Sequence, residues 1–313
     1  MNKQIAESQK KKRKILISLF AAVVAFAIAF GVVQAMMDKK DDRITVSIGS
    51  KAFTEQQILG HLLAEVIETN PKYKVDKKIG LGGTSICWEA LKTGSIDMYV
   101  EYSAGMYLNS LKQPFEAISG DEIVSRITPL LKDEGVILAG RLGFKNDYEL
   151  TVTREYATKN NLKTIDDLKK LADSAVVAPT FEYVNRADGM LGVNSIYGIT
   201  FKKVTPMEAG LRYSALKSGD VQIINTFSTD GMKYKLDLVA LEDPKNVHLA
   251  QEACIIFNKE TYEKYPDLSE TLSVLEQKIS AEDMVKMNYK VDMEGKLPED
   301  VAHEFLVEKD IVK

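Results

Sequence analysis

Two stretches of the chain repeat one pattern: residues 90–103 read ALKTGSIDMYVEYS and residues 215–228 read ALKSGDVQIINTFS. In both, a helix end, a glycine turn, a strand and an aromatic followed by serine come in the same register, so Tyr102-Ser103 and Phe227-Ser228 hold equivalent places. In a two-lobed α/β protein, ligands lie in the crevice beyond the carboxyl ends of strands. Equivalent strands from two lobes would then carry the two aromatics to opposite walls of one cleft. The chemistry such a pair offers is capture of a soft cation that makes no hydrogen bonds, which a well-placed ring face attracts by about 0.5–2 kcal/mol. Shared helix-capping chemistry is the plainer account of the echo.

No other constellation suggests catalysis. His61, His248 and His303 are scattered, with no HExxH and no paired Cys-His spacing, and GxSxG and Walker patterns are missing. Neither a metal nor a cofactor is expected, and the chain reads as a binding protein; a secreted enzyme using the cleft is the rival. Cys87 and Cys254 are the two cysteines. A disulfide is open to them, but two buried thiols are the simpler reading.

The elements that must position these residues alternate between strand and helix. Ile44 to Ile48 alternates as a strand, and Thr54, with Gln57 three residues on, offers the N-cap of an apolar helical stripe from Ile58 to Ile67. Lys51 lies just before that cap, where a cation and free backbone donors would receive an anion; a solvated lysine fits as well. Lys74 to Ile79 is the next strand. It leads into Gly82-Gly83-Thr84, a turn that either cradles a carboxylate or simply caps the helix running through Trp88, a core residue, to Gly94. Further helices are expected at Asp121–Glu134, Thr164–Leu171, Glu208–Leu216 and Leu268–Ile279, and strands at Ala175–Ala178 and Val221–Asn225.

The 313 residues, 45% hydrophobic and 27% charged, suffice for a two-lobed core. A basic tail, residues 1–14, precedes an apolar run at 15–35 whose length and flank fit a single membrane anchor with everything after it outside the cytoplasm. A signal cleaved near Ala35 is the alternative. Residues 36–42 form a charged linker. From residue 41 onward 33 basic residues face 43 acidic ones, a formal charge of −10 that argues against nucleic acid as a partner.

Several linked stretches carry a family resemblance: GSKAFTEQQILG at 49–60, LGGT at 81–84, EALKTGSIDMYVEY at 89–102, FEYVNRADGMLG at 181–192, GLRYSALKSGDVQIINTFSTDG at 210–231 and ISAEDMVKMNYKVDMEGK at 280–296. In their order and spacing the chain resembles the binding proteins for glycine betaine, carnitine and choline in osmoprotectant ABC importers. The resemblance implies a type II periplasmic-binding-protein fold with a hinge. Lobe I falls at 43–140 and 243–313 and lobe II at 141–242, with crossings near Leu138–Phe144 and Asp243–Ala250. It also implies a quaternary ammonium ligand, a membrane permease and its ATPase as partners, and a box of aromatics around the methylated nitrogen. By position Tyr102 and Tyr148 match two tyrosines of the box, Arg186 a carboxylate-binding arginine, and Lys51 a basic position near the ligand. Phe227 stands where a tyrosine is usual, the fourth box tyrosine falls on Gln251, and a position often Thr or Asp is Gly105. Thr84 and Ser103 complete the expected contacts. A box opened on one wall suggests a bulkier betaine, and ergothioneine-importer binding proteins are similar too. A ligand-sensing receptor built on the same module is a further alternative.

Overall fold

β1 (Ile44–Lys51) alternates as its sequence requires, burying Val46 and Ile48, and pairs in parallel with β2 (Tyr73–Gly82). The computed structural model describes residues 41–313. The basic tail, the apolar run and all but the end of the linker lie outside the described residues. No helix among the described residues is long and apolar enough to cross a membrane.

Residues 44–313 form one compact unit built on two five-stranded mixed sheets. The first runs β2-β1-β3-β10-β4, with β3 at Met98–Tyr102, β4 at Val136–Lys145 and β10 at Glu252–Asn258. The second runs β7-β6-β8-β5-β9, with β5 at Tyr148–Thr153, β6 at Val176–Ala178, β7 at Lys203–Val204, β8 at Ile223–Phe227 and β9 at Leu238–Ala240. In each sheet three parallel strands are followed by an antiparallel one: β10 against β3, β5 against β8. β3 and β8 therefore occupy the same place in their sheets, and they are the strands of the two echoed segments.

Each sheet is covered on both faces, so β3 and β8 are buried along nearly their whole length. Helices α1 (Thr54–Glu68), α6 (Ala281–Asp292) and α7 (Pro298–Glu308) pack on one face of the first sheet, setting Leu59, Leu63, Met287 and Phe305 against Met98, Val100 and Phe257. α2 (Thr84–Lys92) and α3 (Gly120–Asp133) close the other with Cys87, Trp88, Leu91, Ile123 and Leu131 against Tyr99, Cys254 and Ile256. In the second sheet Ile223 meets α4 (Met190–Tyr197) through Val193 and Tyr197, while Ile224 meets α5 (Ala209–Ser218) through Tyr213 and Leu216. The two cysteines are free and buried.

Local expectations need four corrections. α1 is capped by Phe53, not Thr54, and the Thr54 hydroxyl donates instead to Asp292 Oδ1 at 2.6 Å, tying α1 to α6. α2 is capped by Gly83, with Thr84 its first residue. The helix expected over Leu268–Ile279 ends in a 3₁₀ turn at Ser273–Leu275, because Gln277 takes a left-handed conformation (φ 54°) and donates its N–H to Arg141 O. Residues 138–144, expected to cross between lobes, belong to β4; the chain leaves the first sheet at Asn146-Asp147 and returns along residues 241–251.

Candidate functional site

A cavity of about 880 Å³ lies between the strand ends of the two sheets. From the first sheet come Lys51 at the end of β1, Tyr102 at the end of β3, Gly82 to Ile86 at the start of α2, and Phe53 at the cap of α1; from the second come Tyr148 at the start of β5 and Phe227 at the end of β8. Arg186 and Gln251 complete this part of the lining. Of the eight residues singled out from sequence, seven border this one cavity: Lys51, Thr84, Tyr102, Tyr148, Arg186, Phe227 and Gln251. Ser103 does not. It is fully buried, its hydroxyl donating to Ala250 O at 2.8 Å and accepting from the Glu252 N–H at 3.0 Å.

The aromatic residues are arranged by sheet register. Tyr148 and Phe227 are direct cross-strand partners, their rings 4.8 Å apart at 37°, and Tyr183 backs Tyr148 at 5.3 Å. Tyr102 faces Ala253 across its strand pair, so its ring neighbour comes from elsewhere: Phe53 stacks on it at 6.4 Å and 22°. Phe53, 44% exposed, is the ring that sequence reasoning missed. The GSKAFTEQ stretch contained it, but nothing in its spacing said that a helix cap would turn it toward β3.

The charged groups are held as firmly. A register shift between Gly49 and Lys51 sets Lys51 opposite Gly82, and such irregularities re-aim a side chain. Its ammonium is bonded to Glu101, which is fully buried, and stands 4.9 Å from the centre of the Tyr102 ring. Arg186 lies 5.0 Å from the Tyr148 ring centre and makes a fork with Asp188 at 2.7 and 2.8 Å and a third bond to Glu182 at 3.0 Å. A guanidinium has five N–H donors, so two remain for a ligand anion. Burial works against the Arg186 charge, but the Asp188 fork outweighs it and holds the group protonated. Burial, reinforced by the Glu55 charge, pushes the Tyr102 phenol well above its ordinary range, so the ring remains a neutral donor. Gln251 accepts the Gly105 N–H through Oε1 at 3.1 Å, leaving its amide NH₂ for the cavity it borders.

Residues 44–308 match the family described as the substrate binding domain of ABC-type glycine betaine transport system. The chain belongs to this family. Among its relatives, the Helicobacter pylori ergothioneine transport permease/ergothioneine binding protein EgtU is 30% identical over 96% of this chain, which spans 53% of that protein's length. The carnitine transport binding protein OpuCC of Listeria monocytogenes is 32% identical over 84% of the chain and 86% of its own. A crystal structure titled glycine betaine/carnitine/choline ABC transporter superimposes with a TM-score of 0.75 at 30% identity, covering 85% of this chain and 99% of that one. This is a family of transport binding proteins rather than of enzymes, with the two-lobed fold the sheets describe. Within this substrate-binding domain the crossings meet beside the cavity: Asn146 N–H donates to Gln251 O at 3.0 Å and Gln251 N–H to Asp147 Oδ1 at 2.7 Å.

Proposed function

We propose that this substrate-binding domain captures a quaternary ammonium solute outside the cytoplasm and delivers it to an ABC permease driven by a cytoplasmic ATPase. The observation that carries the reading is that the equivalent strands of the two sheets end in Tyr102 and Phe227, and both side chains border one cavity. The methylated nitrogen sits among the faces of Tyr102, Tyr148 and Phe227, which attract it without hydrogen bonds. Lys51 and the two spare N–H groups of Arg186 take the solute's carboxylate. Solute touching groups from both sheets favours the closed over the open arrangement, since only differential contact shifts such an equilibrium. The apolar run at 15–35 anchors the domain beside the permease and raises its effective concentration there. Lobe I comprises residues 43–140 and 243–313 with β4 added to Lys145; lobe II, 141–242 by the resemblance, then begins at residue 146.

A second reading, a bulkier betaine such as ergothioneine, is favoured by one feature. Gln251 stands where the family resemblance puts a fourth ring, presenting an amide donor beside a cavity of about 880 Å³. The name of the Helicobacter pylori relative points the same way. Calorimetric titration with glycine betaine, carnitine, choline, proline betaine and ergothioneine separates the two. Tightest binding of ergothioneine selects the second reading, and no binding of any methylated ammonium overturns both.

A further inference from the structure

Behind Tyr102 lies a carboxylate that the ligand site as described does not use. Glu55, in the first turn of α1, is 2% exposed, and it accepts hydrogen bonds from four side chains, the Thr229 hydroxyl among them. The Tyr102 hydroxyl donates to Oε1 at 2.5 Å, Asn146 Nδ2 to the same oxygen at 2.6 Å, and Asn288 Nδ2 to Oε2 at 2.9 Å. Both amides direct their NH₂ groups here, although this leaves Asn146 Oδ1 and Asn288 Oδ1 with no protein partner. Two amide NH₂ groups and the Tyr102 and Thr229 hydroxyls converge on the carboxylate and favour the anion, against burial, which pushes its pKa above the ordinary carboxylate value. The helix N-terminus adds to that preference.

These donors come from different parts of the fold. Tyr102 ends β3, Asn146 lies in the first crossing, and Asn288 is on α6 and also donates to Thr229 O, two residues beyond β8 of the second sheet. Glu55 thus joins the cage ring of the first sheet to the crossing and, through Asn288 and the Thr229 side chain, to the segment that follows β8. A phenol donating to a buried carboxylate is polarised toward phenolate: electron density moves into the ring, its faces become more negative, and its tilt is locked.

We propose that Glu55 is a positioning residue of the ligand cage, which through the Tyr102 hydroxyl sets the orientation and electron density of the ring that faces the methylated cation. The proposal rests on the quaternary ammonium reading. It assigns Glu55 no contact with the solute. What it adds is that preference for a cation over a neutral body of equal shape depends on a side chain behind the wall.

The test uses the purified full chain in detergent and two pairs of probes: glycine betaine against its uncharged-head isostere tert-butylacetate, and choline against tert-butylethanol. Each pair is alike in shape and differs in the charge of the head, so the ratio of the two affinities reads cation recognition separately from fit. Glu55→Gln, Tyr102→Phe and the double variant are compared, with circular dichroism to confirm folding. The expected result is a fall of about threefold or more in the ratio for each single variant, the cation-π attraction being weakened and not abolished. The double variant falls no further than either single one, because both break the same bond. A Glu55→Gln protein whose two affinities drop together at constant ratio would show a merely structural support and overturn the proposal. So would additive losses in the double variant. Should Glu55→Gln fail to fold, an unchanged ratio in Tyr102→Phe overturns the proposal from the other end of the bond. A wild-type chain with no preference for the charged head defeats the quaternary ammonium reading itself, a result distinct from the others.

Discussion

Replacing Lys51 by methionine removes the cation bonded to a buried carboxylate. Both border the cavity, but Glu101 is 0% exposed and Lys51 6%. In Lys51→Met, Glu101 keeps the Tyr99 hydroxyl at 3.1 Å and the Tyr102 N–H at 2.7 Å, but both are neutral donors. Stripping one partner from a buried ion pair costs about 3–5 kcal/mol, and the two surviving bonds place this case near the lower end, about 3 kcal/mol. The reciprocal change is milder. In Glu101→Gln the stranded ammonium sits at the edge of the cavity, and its flexible stem can carry it to solvent, so a loss of about 1–2 kcal/mol is expected. The double variant Lys51→Met/Glu101→Gln strands no charge and should be more stable than the sum of the single losses predicts by about 2 kcal/mol. Urea unfolding of residues 42–313 at neutral pH measures all three. A Lys51→Met protein within about 1 kcal/mol of wild type, or strictly additive losses, would refute the argument that Glu101 depends on this pairing.

Three further outcomes follow from the same geometry. Phe227→Leu keeps apolar volume but removes the ring face, so methylated ammonium ligands should weaken by about 2- to 30-fold in calorimetry; wild-type affinity would remove Phe227 from the cage. Arg186→Lys loses the fork to Asp188 and the spare planar donors, so carnitine and glycine betaine should weaken by about tenfold while choline, which has no carboxylate, changes little; equal losses for all three would deny the carboxylate role. His248 is held by burial to a pKa of about 4 against an ordinary 6.5, so the unfolded chain takes up its proton first as the pH falls. Stability from this group is complete above about pH 6.5 and is lost progressively toward pH 4, by at most about 3 kcal/mol. Parallel stability profiles for wild type and His248→Gln over that range would contradict it.

The sequence made the strand ends legible and left the helix caps obscure. Tyr102 and Phe227 were readable because a repeat fixes register: helix, glycine turn and strand must end alike, and strand ends of α/β sheets face the crevice. Tyr148 had only the family resemblance behind it, yet its place follows from β5 pairing antiparallel with β8, which sets it directly opposite Phe227. Thr54 misled because its composition offered a cap while Asp292, 238 residues away, offered its hydroxyl a partner. Glu55 was invisible for the same reason. A carboxylate in the first turn of a helix reads as an ordinary solvated acid, and the four side chains that bond it come from positions 102, 146, 229 and 288, contacts no local pattern records.

Ser103 corrects the expectation in a way that explains the repeat better than ligand contact did. Its hydroxyl bridges Ala250 O and Glu252 N–H, where the chain enters β10; the Ser228 hydroxyl bridges Lys145 O at 3.0 Å and Asp147 N–H at 2.9 Å, where the chain enters β5. In both cases one hydroxyl donates to residue n and accepts from n+2 of the segment leading into the antiparallel strand of its own sheet. A residue whose one hydroxyl donates and accepts at once is what serine supplies and alanine cannot. The aromatic of each pair thus borders the cavity, and the serine beside it fastens one of the two passages between the sheets. The echo therefore sets a cavity-bordering ring beside the clip on a passage within two consecutive residues, twice.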